Sequence, residues 1–279
     1  MITEEQQAWI NARAYLPEHI VSYVTAISRS EPFLLEHFLI FVKKNHLVFI
    51  GYPLKETFRE KEMEKILDKA IRRFKPETVS LMAPSVPASY QHSSPSSPDH
   101  YFRLDVSSLV VPQKTRNMIR RAMRGLRVQR AGALRTDHLQ LIEEFLKVHP
   151  LDEAARSIYQ EIPDYVSSVS TACVLEARNE AGELAAFDIA EFGAADYAMY
   201  MFNVSLPSRS IPGASDLLFS EILNHARTER KRYVNMGLGI HPGVSFFKTK
   251  WGGVPFLPYR FCLFSPSASR GIDDLYQKL

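Results

Sequence analysis

The sequence predicts an α/β protein built from two successive units, with mixed and mostly antiparallel sheets flanked by helices. Three observations carry that reading. Strand-length apolar runs alternate with stretches of helical period along most of the 279 residues. A strand–helix–strand unit over residues 47–82 is echoed by another over 197–236, an offset that points to a degenerate duplication. No apolar run reaches the ~18 residues of a membrane span, and a composition of 46% hydrophobic and 23% charged residues is ordinary for a globular chain.

Each element has its own signal. Residues 47–52 (LVFIGY) form a short strand stopped by Pro53. Thr57 and Glu60 have the T-x-x-E spacing of a capping box. Met63, Ile66, Leu67, Ala70, Ile71 and Phe74 then follow at helical spacing, and 79–82 (VSLM) is a strand. Residues 84–99, rich in Pro and Ser, read as a loop, and 101–106 as a strand. A helix over 112–125 shows an apolar stripe at Met118, Ile119, Ala122 and Met123. A strand follows at 126–129, then helices at 137–149 and 152–163. Strands at 172–177, 184–191 and 197–204 are joined by turns containing Gly182 and Gly193. A helix over 214–230, a strand at 233–236, a short helix at 244–251 and a strand at 259–264 complete the order.

The net charge of +3 hides its distribution. Residues 1–111 balance 13 basic against 13 acidic side chains, and the last 144 residues are net acidic. Between them Lys114, Arg116, Arg120, Arg121, Arg124, Arg127, Arg130 and Arg135 stand without one carboxylate. Arg116, Arg120 and Arg124 recur every four residues on one helical face. Such a face is either a solvated helix surface or a contact for phosphates, for which arginine is the better donor.

Cys173 and Cys262 lie in apolar strands and read as buried thiols. The acidic N-terminus lacks a signal-peptide layout, so the expected compartment is the cytoplasm. Nine scattered histidines give no metal-ligand spacing, and no tightly bound cofactor is expected. Oligomeric state is not encoded in any pattern seen.

Residues 209–216 (RSIPGASD) lead into a helix at Gly213, Ala214 and Ser215. Free backbone N–H groups and the helix dipole make such a start an anion site, with Arg209 beside it; ordinary capping is the alternative. The order of elements and this junction resemble the GNAT acyltransferase fold. The family loop, Q/R-x-x-G-x-G/A, is matched at Arg209 and Ala214, with Pro212 in place of the first Gly and the Gly displaced to 213. A closer resemblance runs through 114–128, 212–219 and 234–253 (VNMGLGIHPGVSFFKTKWGG), which look like segments of FemAB-type aminoacyltransferases and of the C-terminal domain of phosphatidylglycerol lysyltransferases.

The resemblance implies tandem GNAT-like domains, a degenerate one over 1–111 and a catalytic one over 112–279. It implies acyl or aminoacyl transfer to a small-molecule, lipid or peptide amine, with aminoacyl-tRNA or acyl-CoA as co-substrate and tRNA preferred because of the altered loop and the basic helix. A non-catalytic binding protein on the same fold is the third reading. Lys248 falls where the family places an oxyanion-stabilising lysine; a surface lysine is the bland alternative, and Lys250 faces elsewhere. Asp188 and Glu191, three apart on a strand, point to opposite faces, so one of them is the candidate base. Asn203 and Asn235 end neighbouring strands, either to orient a carbonyl or to cap a turn.

Overall fold

Two parallel strand pairs, each bridged by a fifteen-residue helix, organise the residues described by the computed structural model, 2–55, 57–90, 98–209 and 211–266. In the first unit α1 (Glu4–Asn11) and α2 (Val21–Ser28) precede a hairpin of β1 (Glu31–Leu35) and β2 (Phe38–Lys43). β3 (His46–Ile50) then runs parallel to β4 (Thr78–Ala83), with α3 (Glu60–Phe74) between them. After β5 (Asp99–Asp105) come α4 (Gln113–Ala122), β6 (Arg127–Ala131), α5 (Thr136–Val148), α6 (Glu153–Gln160) and α7 (Ile162–Ser168). The antiparallel run β7 (Ala172–Arg178), β8 (Leu184–Glu191) and β9 (Tyr197–Ser205) leads into α8 (Ala214–Thr228). β10 (Tyr233–Leu238) lies parallel to β9, and α9 (Pro242–Lys250) connects it to β11 (Val254–Phe264).

Among the described residues eleven strands form one sheet, ordered β1-β2-β3-β4-β11-β5-β10-β9-β8-β7-β6. The two units exchange strands at its centre. β5, next in the chain after β4, pairs antiparallel with β10. β11, next after β10, pairs antiparallel with β4 through residues 260–264 and with β5 through 254–259. β5 precedes residue 111 in sequence yet is built into the sheet of the C-terminal unit.

Local chemistry explains the helices. α3 buries Met63, Ile66, Leu67, Ala70 and Ile71, the face its period predicts. α8 buries Leu217, Leu218, Phe219, Ile222 and Leu223 over Ala185, Ala186, Ala190 and Ala198. Each such large side chain contributes about 1.5–3 kcal/mol on burial, and the alanines beneath let the helix approach closely. Phe187 and Ile189 pack on the opposite sheet face against α5 and α7. Cys173 and Cys262 are buried, and neither is in a disulfide.

Several expectations require correction. Thr57 and Glu60 form no capping box: α3 begins at Glu60 with Arg59 at its N-cap, and the Glu60 carboxylate accepts from Ser85. On α4 the inward residues are Thr115 and Ala122, with Met118 and Ile119 half-buried; Met123 lies past the helix end and is 52% exposed. Within the expected loop at 84–99, residues 91–97 lie outside the described residues, while β5 begins at Asp99. Among the described residues no helix is long and apolar enough to cross a membrane.

Candidate active site

The parallel ladder between β9 and β10 is short. It pairs Tyr197, Ala198 and Met199 with Tyr233, Val234 and Asn235, and then ends although both strands continue. Gly237, at φ 75°, interrupts β10 just there, and the β10–β5 register shifts between Asn235 and Leu238. A gap therefore opens between the two strands at the sheet's centre, and α9 covers it.

α9 ends in a tight turn. The Gly252 and Gly253 amides donate to the Thr249 and Lys248 carbonyls, and a Cβ at Gly253 would sit 2.7 Å from Met236 Sδ and 2.9 Å from the Lys248 carbonyl oxygen. The F-K-x-x-x-G-G spacing is thus the geometry that presses α9 onto β10. Lys248 is 3% exposed; its Nζ donates to the Leu238 carbonyl and lies 5.7 Å from the centre of the Phe102 ring. A Cβ on Gly237 would make only an ordinary contact with that Nζ, at 3.6 Å, so the positive φ rather than space calls for glycine. Burial lowers the Lys248 pKa to about 7, with Asp99 pulling the other way.

α9 also separates two cavities. One, of about 200 Å³, lies under the α8 N-terminus and is lined by Ala186, Ser205, Gly213, Ser215, Asp216, Phe247 and Lys250, among others. The second, of about 330 Å³, is lined by residues 98–99, 239–242 and Ser245. At its mouth Ile240 adopts φ 56°, an unusual conformation for a β-branched residue. Asp99 holds that turn by accepting from the Gly239 and Ile240 amides at 3.1 and 2.8 Å.

The remaining sequence candidates divide by location. Gly213, Ala214 and Ser215 line the first cavity. Arg209 closes the short turn Pro207–Arg209, and its side chain lies outside the described residues. Asn203 faces Asp188 across β8 and β9; its Nδ2 donates to Asp188 Oδ1 at 2.6 Å, and its Oδ1 accepts from Ser215 Oγ at 3.5 Å. Asp188 is fully buried, and that burial, opposed by Asn203 and Tyr200, raises its pKa to about 8. Glu191 points to the other sheet face, where it accepts from the Tyr165 hydroxyl at 2.6 Å and the Gly193 amide at 2.9 Å. Neither carboxylate lines either of these two cavities. Asn235 is turned away as well: it donates to the Tyr15 carbonyl and accepts from the Gly237 amide, both at 2.8 Å.

Asp216 and Lys250 are features that sequence reasoning missed or placed second. Asp216, in the first turn of α8, accepts from Lys250 Nζ at 2.6 Å and Trp251 Nε1 at 3.0 Å. The helix N-terminus therefore already holds a carboxylate, neutralised by Lys250. Helical spacing signalled that the two lysines differ; only the fold reveals which acid meets the second.

The basic run also resolves. Arg135 leaves it, donating to Glu176 Oε1 and Oε2 at 2.6 Å, and Arg127 donates to the Met123 and Leu126 carbonyls. Lys114, Arg116, Arg120, Arg121, Arg124 and Arg130 are exposed and form no ion pair among the described residues. Arg120 lies about 200° around the helix from Met118. Since Met118 meets Gly213, the cationic face points away from α8.

Burial of Asp188 makes a thermal prediction. With its pKa raised to about 8, the folded chain keeps a proton that the unfolded chain loses between about pH 4 and 8, so stability falls as pH rises through that window. Asp188→Asn removes the slope. Thermal denaturation should show the variant gaining on the wild type by several degrees more at pH 8 than at pH 5. An equal offset at both pH values would show that Asp188 does not carry this proton.

No family model and no curated relative matches the chain. Solved structures do. The C-terminal domain of a putative lysylphosphatidylglycerol synthetase from Agrobacterium fabrum aligns with TM-score 0.61 at 14% identity over 98% of this chain and 97% of that one. FemX aligns with TM-score 0.61 at 10% identity over 93% and 96%. A tandem GNAT protein from the clavulanic acid biosynthesis pathway aligns with TM-score 0.54 at 13% identity over 95% and 96%. The likeness is one of fold: the chain has the GNAT architecture in its tandem form.

Proposed function

We propose that the chain is an acyltransferase that moves an acyl or aminoacyl group to an amine by direct attack, with aminoacyl-tRNA as the preferred donor. The observation that carries this reading is the buried Lys248 ammonium at the gap between β9 and β10. In the reaction the acceptor nitrogen attacks the donor carbonyl carbon and the carbonyl π electrons move onto oxygen. Lys248 donates a hydrogen bond to that oxyanion from a site sheltered from water. Collapse restores the carbonyl and expels the ribose hydroxyl of tRNA, and the proton lost by the amine ends on the leaving oxygen. A pKa near 7 lets Lys248 be charged below neutrality.

Three features favour tRNA over acyl-CoA. Pro212 removes one backbone N–H from the loop where the GNAT resemblance implies a pyrophosphate. Asp216 occupies the first turn of α8 and engages Lys250, so that helix end already has its anion and the lysine its partner. Among the described residues the exposed arginines of α4 have no acidic partner, which suits them to phosphates. An acyl-CoA donor remains the second reading, supported by the cavity at the start of α8. The acceptor could be a small molecule, a lipid or a peptide, since the neighbours include a putative lysylphosphatidylglycerol synthetase and a protein of clavulanic acid biosynthesis.

The donor choice is testable on α4 and the turn that follows it. Combined Arg120→Glu and Arg124→Glu substitution is expected to weaken tRNA binding at least tenfold and to flatten its log–log salt slope by about 2, the loss of two phosphate contacts. Fluorescence anisotropy across a salt series reads both quantities. An unchanged slope would return these arginines to a solvated surface.

A further inference from the structure

Each of the two cavities beside α9 is lined by one carboxylate, and the two differ in their partners. Asp216, in the first, is engaged by Lys250 at 2.6 Å. Asp99, in the second, forms no ion pair among the described residues. Backbone amides hold it instead. Its Oδ1 accepts from His100 at 2.7 Å and Gly239 at 3.1 Å, and its Oδ2 from Ile240 at 2.8 Å. Oδ1 is thereby filled, while Oδ2 keeps an acceptor position. Gly239 makes the fit possible, since a Cβ there would lie 2.6 Å from Asp99 Oδ1 and 2.9 Å from Ser245 Oγ. The carboxylate is fixed in place, half-buried, with no cation bound to it.

Position ties this carboxylate to Lys248. Lys248 Nζ donates to the Leu238 carbonyl, one residue before Gly239, and attraction to Asp99 opposes the loss of the lysine's proton. The cavity's other polar side chains are engaged. Ser245 Oγ donates to the Gly239 carbonyl at 3.3 Å, and His241 Nδ1 accepts from the Val244 amide at 3.4 Å. That bond sets the proton of a neutral imidazole on Nε2, so His241 offers a donor and no free acceptor. Pro98, Ile240 and Pro242 are exposed and give the mouth an apolar rim. A space of about 330 Å³ with an apolar rim and one placed carboxylate suits the head of an alkyl amine.

We propose that this cavity receives the primary amine of the acceptor, and that Asp99 is the catalytic residue that holds its ammonium and takes a proton from it. The ammonium donates to Asp99 Oδ2, a charge-assisted hydrogen bond. An ammonium that becomes an amide nitrogen gives up two protons. One goes to Asp99 Oδ2: the N–H bond breaks, its electron pair stays on nitrogen, and that pair forms the bond to the donor carbonyl carbon. Water at the cavity mouth then removes this proton from Asp99. The other ends on the leaving oxygen. The assignment rests on the transferase reading, but its test does not depend on turnover.

Calorimetry without any acyl donor, using n-butylamine and its neutral counterpart n-butanol as probes, tests it. Saturable butylamine binding is expected, with butanol at least tenfold weaker. Asp99→Asn should weaken butylamine tenfold or more. Ile240→Lys, which brings a cation to the mouth and leaves the bonds of Asp99 as they are, should weaken it several-fold. Asp99→Asn sets a side-chain amide against backbone donors, so Ile240→Lys carries the test if that variant fails to fold. Three results overturn the subsite and leave the transferase reading standing: no saturable butylamine heat, butanol binding as tightly as butylamine, or heat undiminished in the folded variant. Butylamine binding as expected, with no turnover of either donor, would count against the transferase reading and leave the amine site.

Discussion

Lys248→Ala is expected to reduce acyl transfer by roughly 10²–10³-fold, the usual loss when one donor to a developing oxyanion is removed. The same substitution should not unfold the protein. Lys248 is costly to the fold: its pKa is lowered from the usual lysine value to about 7, so the unfolded chain holds the proton more tightly. Between about pH 7 and 10 the unfolded state binds more protons, and stability rises with pH through that window. Below pH 7 the full penalty applies, on the order of 5 kcal/mol by the pKa difference. Lys248→Met, which keeps the apolar stem and removes the charge, should therefore gain in Tm over the wild type, and gain more at pH 6 than at pH 9. Lost activity combined with gained stability is the signature of a group retained for chemistry. A variant that loses both, with no pH dependence in the difference, would make Lys248 a structural residue.

Gly213→Ala is expected to cost about 3 kcal/mol, read as a fall in Tm of about 6–12 °C. Gly213 has φ 92°, and an added Cβ would lie 2.5 Å from the Met118 carbonyl oxygen and 3.3 Å from the Ala122 Cβ. Backbone strain and a collision with α4 therefore act together. Gly182 supplies the control. Its φ is 82°, yet a Cβ there would meet nothing within 4 Å, so Gly182→Ala should cost only about 1 kcal/mol. Equal losses at the two positions would show that α4 does not press on the start of α8. Because that contact fixes the cavity roof, Gly213→Ala should also disturb donor binding.

Much of this arrangement is legible in the chain, and the remainder fails for identifiable reasons. The two strand–helix–strand units announce themselves because α3 and α8 keep a clean helical period between apolar strands. The exchange of β5 and β11 does not, because strand pairing is non-local and no residue of either names its partner. The β1–β2 hairpin is hidden inside a nearly continuous apolar run, turned at Glu36 with φ 54° where a glycine would have signalled it. α1 carries a T-x-x-Q signal, its capping box formed by Thr3 and Gln6. At the candidate site Lys248 stands out through its spacing from the two glycines. Asp188 stands out through its apolar surroundings, although it lines neither cavity. Glu18 has no sequence signal at all. It is a lone acid in a proline turn, and only the fold sets it against Tyr101.

The most direct test of the account is the rate at which the protein strips the acyl group from a donor in the presence of a mixed pool of primary amines. Aminoacyl-tRNA and acetyl-CoA are offered separately, and wild type and Lys248→Ala are compared under single-turnover conditions. The account predicts that wild type consumes aminoacyl-tRNA and forms an amide product at least a hundredfold faster than the variant. Consumption of neither donor above background by the wild type, or equal rates for the two proteins, would contradict it.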